Sequence, residues 1–233
     1  MKNNLDLLYA ADYMYNYLRQ HNFQFNEYGF PVFRPEMFID EWPEMVIPYK
    51  NRKHYIVKNP KKTLLCFYSP DIYLYPRIEK LEDDMEEYKR FMGCVFCDIT
   101  VTWDLPQEMQ EYLILVNHLH AAVLAVNGIK LAANLRIGNE ETLKCLEGIP
   151  VNVMCASGFL GCKNLKGKYD FSFLNKIMQV MPYKLILFGK KDRIVEEQLY
   201  KNGICFKRYG DYNENRRSRP AALTSKSPAN PNA

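Results

Sequence analysis

Short apolar runs alternate with amphipathic stretches through the middle of the chain. Each run is rich in Val, Ile, Leu or Phe, ends at a polar residue or a glycine, and is followed by a segment with helical periodicity. This alternation predicts a parallel β-sheet covered by α-helices. Functional sites of such sheets lie at the carboxyl ends of the strands, so residues at those ends are the first candidates. The predicted strands are residues 64–68, 93–98, 130–134, 151–156, 183–188 and, as a sixth, 204–207.

Five or six strand-and-helix units fit either an open doubly wound sheet or a barrel, because right-handed crossovers allow both. No glycine-rich turn follows the first strand, as a dinucleotide-binding sheet would require, and this slightly favours a barrel-like arrangement. We therefore predict an α/β fold with a mostly parallel sheet of five or six strands and helices outside it. The predicted helices are residues 5–19, 78–92, 107–126, 140–146, 170–181 and 193–201.

Three parts of the chain differ in composition. Residues 1–62 hold a predicted helix and then an arm whose prolines exclude long helices and whose aromatic residues imply that it packs on the rest. Residues 63–210 hold the predicted α/β domain. Residues 211–233 have no apolar periodicity and predict a disordered, basic tail.

The overall composition fits a globular protein in a reducing compartment. The chain has 233 residues, of which 48% are apolar and 25% charged, with a net charge of +4. Its seven cysteines lie mostly within apolar runs, where thiols act as small buried side chains, so we expect no disulfides and a cytoplasmic location. No stretch approaches the ~20 apolar residues that span a bilayer, so we expect no membrane segment.

Several strand-end segments resemble one known family. They are LCFYSPD at 65–71, GCVFCDIT at 93–100, CASG at 155–158 and KLILFG at 184–189. Over residues of about 60–210 the chain is similar to the domain-of-unknown-function family 4417, which occurs in bacteria and in their phages and mobile elements. The resemblance implies an α/β domain carried by a mobile element, and it implies no particular activity.

Polar side chains at the predicted strand ends suggest a catalytic site. Asp71 and Asp98 would hold a Mg²⁺ ion or work as an acid and base pair. Asp98 ends an apolar strand, where a lone buried carboxylate is costly, and Arg136 on the next strand end would be its partner. Asn134 and Ser157 follow neighbouring strands and complete the candidate set. These residues predict a hydrolase-like enzyme, with phosphodiester hydrolysis, glycosidic hydrolysis and simple ligand binding all left open.

A basic stretch before the first predicted strand suggests a different function. Its lysines are interleaved with aromatic residues, a combination that suits nucleic-acid phosphates and stacked bases, although such lysines also serve solubility alone. Together with arginines of the tail they predict a phage or mobile-element accessory protein that binds nucleic acid or a complex that handles it. The residues concerned are Lys53, Lys58, Lys61, Lys62, Arg216 and Arg217.

The acidic segment 78–92 supports a third hypothesis. It carries six acids beside a narrow apolar stripe, so it is either a solvated helix or a surface that engages a basic protein. With the aromatic arm it would form an inhibitor or adaptor of a host factor.

Two further pairs of residues do not predict metal sites. Cys94 and Cys97 would point to opposite faces of a strand. His118 and His120 lie two residues apart on a predicted helix, so they cannot share a ligand, and we expect them to be surface or hydrogen-bonded histidines.

Overall fold

The computed structural model describes residues 4–158 and 171–218 of the chain. Its centre is one parallel sheet of seven strands, and the spatial order of the strands is the order in sequence. The strands are β1 Met45–Pro48, β2 Thr63–Cys66, β3 Gly93–Val95, β4 Leu131–Asn134, β5 Met154–Gly158, β6 Lys184–Phe188 and β7 Phe206–Tyr209.

The sheet is curled into a nearly closed barrel. Strands that follow one another in both sequence and space, with right-handed connections, place every helix on the same side of the sheet. Side chains that alternate along the strands therefore fall into two apolar groups, one under the helices and one inside the curl. The inner group takes residues from all seven strands: Val46, Leu64, Cys66, Val95, Ala132, Met154, Ala156, Ile186, Phe188 and Tyr209.

Side chains link the two edge strands, β1 and β7. The hydroxyl of Tyr209, in β7, donates a 2.7 Å hydrogen bond to the carbonyl of Pro43, just before β1. After the same two strands, the rings of His54 and Tyr212 meet edge to face at 5.1 Å between centroids. These contacts hold the barrel together where the sheet has no ladder between its edges.

Six strands were the upper limit predicted from the sequence, and the seventh is β1, within the proline-rich arm. It forms there because Val46 and Ile47 are buried and pair with β2, although Pro48 is its last residue. The strand predicted over 151–156 begins later, at Met154, because Asn152 has a left-handed φ of 64° and lies in a turn. The arm contributes Phe30, Phe33 and Phe38 to the core under the helices.

Helices cover the outside of the barrel. The long predicted helix 78–92 is instead two helices, α2 (Asp71–Glu79) and α3 (Leu81–Tyr88), separated at Lys80, and α2 begins before Pro76. Residues 140–146 form a 3₁₀-helix. The tail that the sequence predicts to be disordered begins with a short helix, α7 (Tyr212–Ser218). The α-helices are α1 Asn4–Gln20, α2 Asp71–Glu79, α3 Leu81–Tyr88, α4 Gln107–Val126, α5 Phe171–Val180, α6 Arg193–Lys201 and α7 Tyr212–Ser218.

None of the helices within 4–158 and 171–218 has both the length and the apolar character needed to cross a membrane.

Candidate active site at the carboxyl ends of the strands

Three polar side chains meet where β2, β3 and β4 end. The amide nitrogen of Asn134 donates a 2.8 Å hydrogen bond to Oδ1 of Asp98. On the other side, the hydroxyl of Tyr68 donates to Oδ1 of Asn134 at 3.4 Å. Because parallel strands end on one rim, residues that are far apart in sequence form one connected network here. This network stands at the mouth of the barrel, above its apolar interior.

Asp98 is the residue with the most unusual environment at this rim. Its side chain is only 18% exposed, and burial raises the pKa of its carboxyl above the ordinary value. The Arg136 guanidinium and the hydrogen bond from Asn134 lower that pKa, Asp71 raises it, and the ammonium of Lys176 lowers it. The effect of burial on the pKa is the largest of these, so the carboxyl takes up a proton more readily than an exposed aspartate does.

Arg136 faces Asp98 without closing a hydrogen bond to it. Its Nε lies 4.0 Å from Oδ1 of Asp98, and one terminal nitrogen donates to the carbonyl of Val101 at 3.3 Å. Nε is buried and has no hydrogen-bond partner among the described residues. A buried donor left open beside a protonatable carboxyl suits an anionic group of a substrate.

Asp71 lies near this network, but one of its carboxylate oxygens already accepts two hydrogen bonds. It is the first residue of α2, and its Oδ1 accepts hydrogen bonds from the amide and the hydroxyl of Thr100, at 3.1 Å and 3.0 Å. It therefore fixes the loop after β3 and acts on Asp98 through its charge. No cluster of three or more His, Cys, Asp or Glu side chains suited to a metal ion occurs in the described parts of the chain, so Mg²⁺ at the two aspartates stays a hypothesis.

Ser157 is not brought into the network. It alternates with Ala156, which faces the barrel interior, so Ser157 points toward the helix layer and is buried there. The interior position next to it is Gly158, where a Cβ atom would come within 3.0 Å of the Tyr68 ring. The strand thus presents a glycine to the mouth of the barrel, which leaves room for the Tyr68 ring.

The four lysines of the basic stretch do not form one surface. The stretch runs from the end of β1 to the start of β2, hence along the whole length of the barrel. Lys61 and Lys62 lie at the opposite end from the network. There Lys61 donates to the carbonyl of Lys89 at 2.9 Å, and Lys62 pairs with Glu44 at 3.1 Å. Lys58 is exposed between the two ends.

The segment of Lys53 lies against the helix that carries the two tail arginines. Lys53 precedes His54, whose ring touches Tyr212 of α7, the helix that carries Arg216 and Arg217. All three cations are exposed. They lie on the β7 and β1 side of the rim at which the network is found.

Lys176 and Tyr68 belong to the site although the sequence did not single them out. Lys176 is buried in α5 between Phe173 and Ile177, on the face that packs on the sheet. A lysine on an apolar helical face can be recognised from the sequence, and it indicates a role because lysines are rarely buried without one. Tyr68 carried no comparable signal, since a tyrosine at the end of an apolar strand is ordinary core.

Part of the acidic segment is used internally. Asp84 is buried, accepts a 2.7 Å hydrogen bond from the hydroxyl of Tyr49 and pairs with Arg77. Glu87 pairs with Arg52 at 3.3 Å. The acids that remain at the surface of α3 are Glu82, Asp83 and Glu86.

Comparison with known proteins identifies a family and no activity. The model of the family described as Domain of unknown function (DUF4417) matches residues 24–209. The chain belongs to this family. The match begins well before residue 60, so DUF4417 includes most of the aromatic arm and β1. No curated protein and no solved structure matches the chain.

Proposed function

We propose that this DUF4417 protein is a hydrolase that acts on phosphate esters at the carboxyl ends of its strands. The observation that carries the proposal is Asp98, a largely buried carboxyl held by Asn134 and faced at 4.0 Å by an open Arg136 nitrogen. General acids have this character, because burial raises the pKa of a carboxyl and so favours its protonated form.

The chemistry assigned to Asp98 is proton transfer. Protonated Asp98 donates its proton to the leaving oxygen as the bond from that oxygen to phosphorus breaks. A water molecule supplies the incoming oxygen, and its proton restores the protonated carboxyl. Arg136 and Lys176 offset the negative charge of the phosphoryl group, and Asn134 keeps the Asp98 carboxyl oriented.

The residues at the rim favour a phosphate ester over a glycoside. Glycosidases use two carboxyl groups on either side of the bond that is cleaved. Here the second carboxyl, Asp71, has one oxygen committed to both donors of Thr100. Arg136, in contrast, faces Asp98 at 4.0 Å, and the Lys176 ammonium also lowers the pKa of this carboxyl, so the positive charge matches an anionic substrate.

The test uses chromogenic esters of three kinds: p-nitrophenyl phosphate, bis(p-nitrophenyl) phosphate and a p-nitrophenyl glycoside, each with Mg²⁺ and with chelator. We expect turnover of a phosphate ester that falls about 10²- to 10⁴-fold in Asp98→Asn, the usual contribution of a general acid. Arg136→Gln should lower kcat/KM as well, because it removes the anion partner. Asp83→Asn, at an exposed acid of α3, is the matched control and should keep full activity.

Two results would contradict the proposal. One is the absence of turnover of either phosphate ester under both metal conditions. The other is an Asp98→Asn variant as active as the parent. Thermal unfolding of Asp98→Asn keeps the comparison interpretable: its midpoint should match or exceed that of the parent, since the substitution removes a carboxylate from an environment that disfavours its charge.

A groove between α1 and α2–α3 supports a second candidate function, as an inhibitor or adaptor that a phage or mobile element directs at a host factor. The groove has a volume of about 630 Å³ and combines exposed tyrosine rings with acids, so it fits a basic, partly apolar peptide. Its lining includes Asp6, Tyr9, Tyr13, Glu79, Glu82 and Asp83.

A fluorescent lysine-rich peptide tests the groove by anisotropy. Reversing Glu82, Asp83 and Glu86 to lysine should weaken binding at least tenfold, and reversing the exposed Glu108 of α4 should not. Equal binding by both variants would remove this surface from consideration.

A further inference from the structure

We infer that a cationic pocket on the same rim, beside the end of β1, binds a backbone phosphate of a single-stranded nucleic acid. The inference rests on the proposed function, because the strand held there is taken to be the substrate hydrolysed at Asp98. The pocket has a volume of about 280 Å³. Its lining includes Lys50, Arg52, Ser69, Tyr73 and Arg77.

The order of the β-strands in the sheet places the pocket close to the Asp98 network. It is formed by the segments that follow β1 and β2, and Asp98 follows β3, the next strand. Neighbouring strands are about 4.8 Å apart, so β1 and β3 end about 10 Å from each other. A nucleic-acid strand with one phosphate in the pocket can therefore place its next phosphodiester linkage near the mouth of the barrel.

The arginines of the pocket are held in place before any ligand arrives. The guanidinium carbons of Arg52 and Arg77 lie 3.9 Å and 5.4 Å from the centre of the same ring, that of Tyr49. Arg52 also donates to the carbonyl of Tyr49 at 3.2 Å, and Arg77 pairs with Asp84. Side chains that are already ordered lose little conformational entropy when an anion binds.

Two buried donors of the pocket make no hydrogen bond. Ser69 Oγ is inaccessible to solvent and has no hydrogen-bond partner in the described part of the molecule. The same holds for Arg52 Nε, which is 3.3 Å from Glu87 without the geometry of a hydrogen bond. Buried polar groups are normally paired, and phosphate oxygens would accept from both.

Charge in the pocket also favours an anion. Arg52 and Arg77 are each matched by one carboxylate, that of Glu87 and that of Asp84. Lys50 has no carboxylate partner within the described ranges, and its ammonium stands 5.1 Å from the centre of the Tyr73 ring. The pocket therefore keeps one uncompensated positive charge at its opening.

The surface around the pocket suits a nucleic-acid strand better than a single phosphate group. Lys53 and the arginines of α7 continue the positive charge away from the mouth of the barrel. Tyr55 and Tyr73 are about half exposed beside these cations, as stacking platforms for unpaired bases are. Duplex bases are already stacked on one another, so exposed rings select single strands.

Fluorescence anisotropy with a labelled 20-nucleotide single strand, DNA and RNA in separate arms, tests the inference at 50 and 200 mM salt. We expect the double variant Lys50→Gln, Lys53→Gln to raise Kd about fivefold to tenfold at low salt and to reduce the salt slope by about one to two. The matched control is Lys61→Gln, Lys62→Gln, which removes the same charge from the opposite end of the barrel and should leave Kd unchanged.

Competition identifies the source of the phosphate. Unlabelled single strand should displace the probe, whereas inorganic phosphate, a mononucleotide and a duplex should do so only at much higher concentration. Displacement by inorganic phosphate at the concentration effective for the strand would overturn the assignment to a polymer. Equal weakening by the two double variants, or no binding at 50 mM salt, would overturn the pocket itself.

Hydrolysis at Asp98 and binding of a single strand in the pocket can be tested separately. An Asp98→Asn protein that binds the strand normally but no longer hydrolyses phosphate esters supports both. Strand binding that depends on Lys50 and Lys53, without hydrolysis by any form of the protein, supports the pocket as a binding site and overturns the enzyme, together with the clause that makes the strand its substrate.

Discussion

His118 and His120 show how far a single residue can depart from what its sequence context suggests. They are fully buried in α4 instead of lying at the surface, and the expectation of surface or hydrogen-bonded histidines is wrong for His120, whose ring nitrogens both lack a partner among the described residues. Aromatic rings surround them: Phe33 and Phe96 lie within about 6 Å of the His118 ring centre, and Phe67 within that distance of His120. Burial lowers the pKa of each imidazole from 6.5 to about 3.

These two histidines make the protein sensitive to mild acid. The unfolded chain takes up protons below about pH 6.5 that the folded chain refuses until about pH 3, so stability is complete above pH 6.5 and falls as the pH drops. At pH 5 each histidine should cost about 2 kcal/mol, and urea midpoints at pH 7.5, 6 and 5 measure this. Asp98, whose pKa is raised, works in the opposite direction.

A double variant separates the histidines from other acid effects. His118→Phe, His120→Phe keeps ring-shaped side chains in an aromatic setting and should flatten the decline in stability between pH 6.5 and 5. His21→Gln, at an exposed histidine after α1, should decline like the parent. A double variant with the parent's pH dependence would show that the imidazoles are not its cause.

At the scale of elements, α3 divides its acids between structure and surface. Asp84 faces inward to Tyr49 and Arg77, and its neighbour Asp83 faces solvent. One turn of helix therefore holds two aspartates with different roles, which their sequence neighbourhood does not distinguish. The inward contacts join α3 to α2 and to the segment after β1.

Substitution of these two aspartates should separate their roles. Asp84→Ala removes the carboxylate that pairs with Arg77 and accepts from the Tyr49 hydroxyl, and it should lower the free energy of unfolding by roughly 3 kcal/mol, as breaking a buried pair does. Asp83→Ala should change it by less than about 0.5 kcal/mol. Urea denaturation measures both. Similar losses in the two variants would contradict the assignment of Asp84 to the interior.

The same network links stability to the proposed strand-binding pocket. Arg77 lines the pocket and is held by Asp84. For this reason the test of the pocket relies on exposed Lys50 and Lys53, whose replacement leaves the buried pair intact.

At the scale of the whole molecule, residues 1–62 and the rest of the chain share one core. The arm supplies β1, whose Val46 and Ile47 are fully buried, and α1 supplies Met14 and Leu18. Pro43, in the arm, accepts the hydrogen bond from Tyr209 that links the two edges of the sheet. A boundary in composition at residue 62 therefore does not correspond to a boundary in packing.

Removal of the arm should abolish folding. A fragment that starts at residue 63 lacks β1, which leaves the edge of β2 unpaired, and it lacks the core side chains of α1 and the arm. We therefore expect no cooperative unfolding transition by circular dichroism and strong dye binding by exposed apolar surface. The full chain measured alongside is the reference. A fragment with a sharp transition near that of the full chain would show that residues 63–233 form an independent domain.

The sequence by itself determined the class of fold and which polar residues stand together at the ends of the strands. Buried strands are apolar runs, so six of the seven strands are predicted without a structure, and the polar residues that end them follow directly. Asp98, Asn134 and Arg136 come together as their strand ends predict, because parallel neighbours finish on one rim.

Only the tertiary structure decided the remaining features, because each depends on partners distant in sequence. β1 exists through its pairing with β2 despite the prolines around it. The direction of the barrel's curl turns Ser157 away from the mouth and leaves Gly158 there. The connection from β1 to β2 also places Lys53 and Lys61 at opposite ends of the barrel. A connection between parallel strands must run from the carboxyl end of one strand to the amino end of the next.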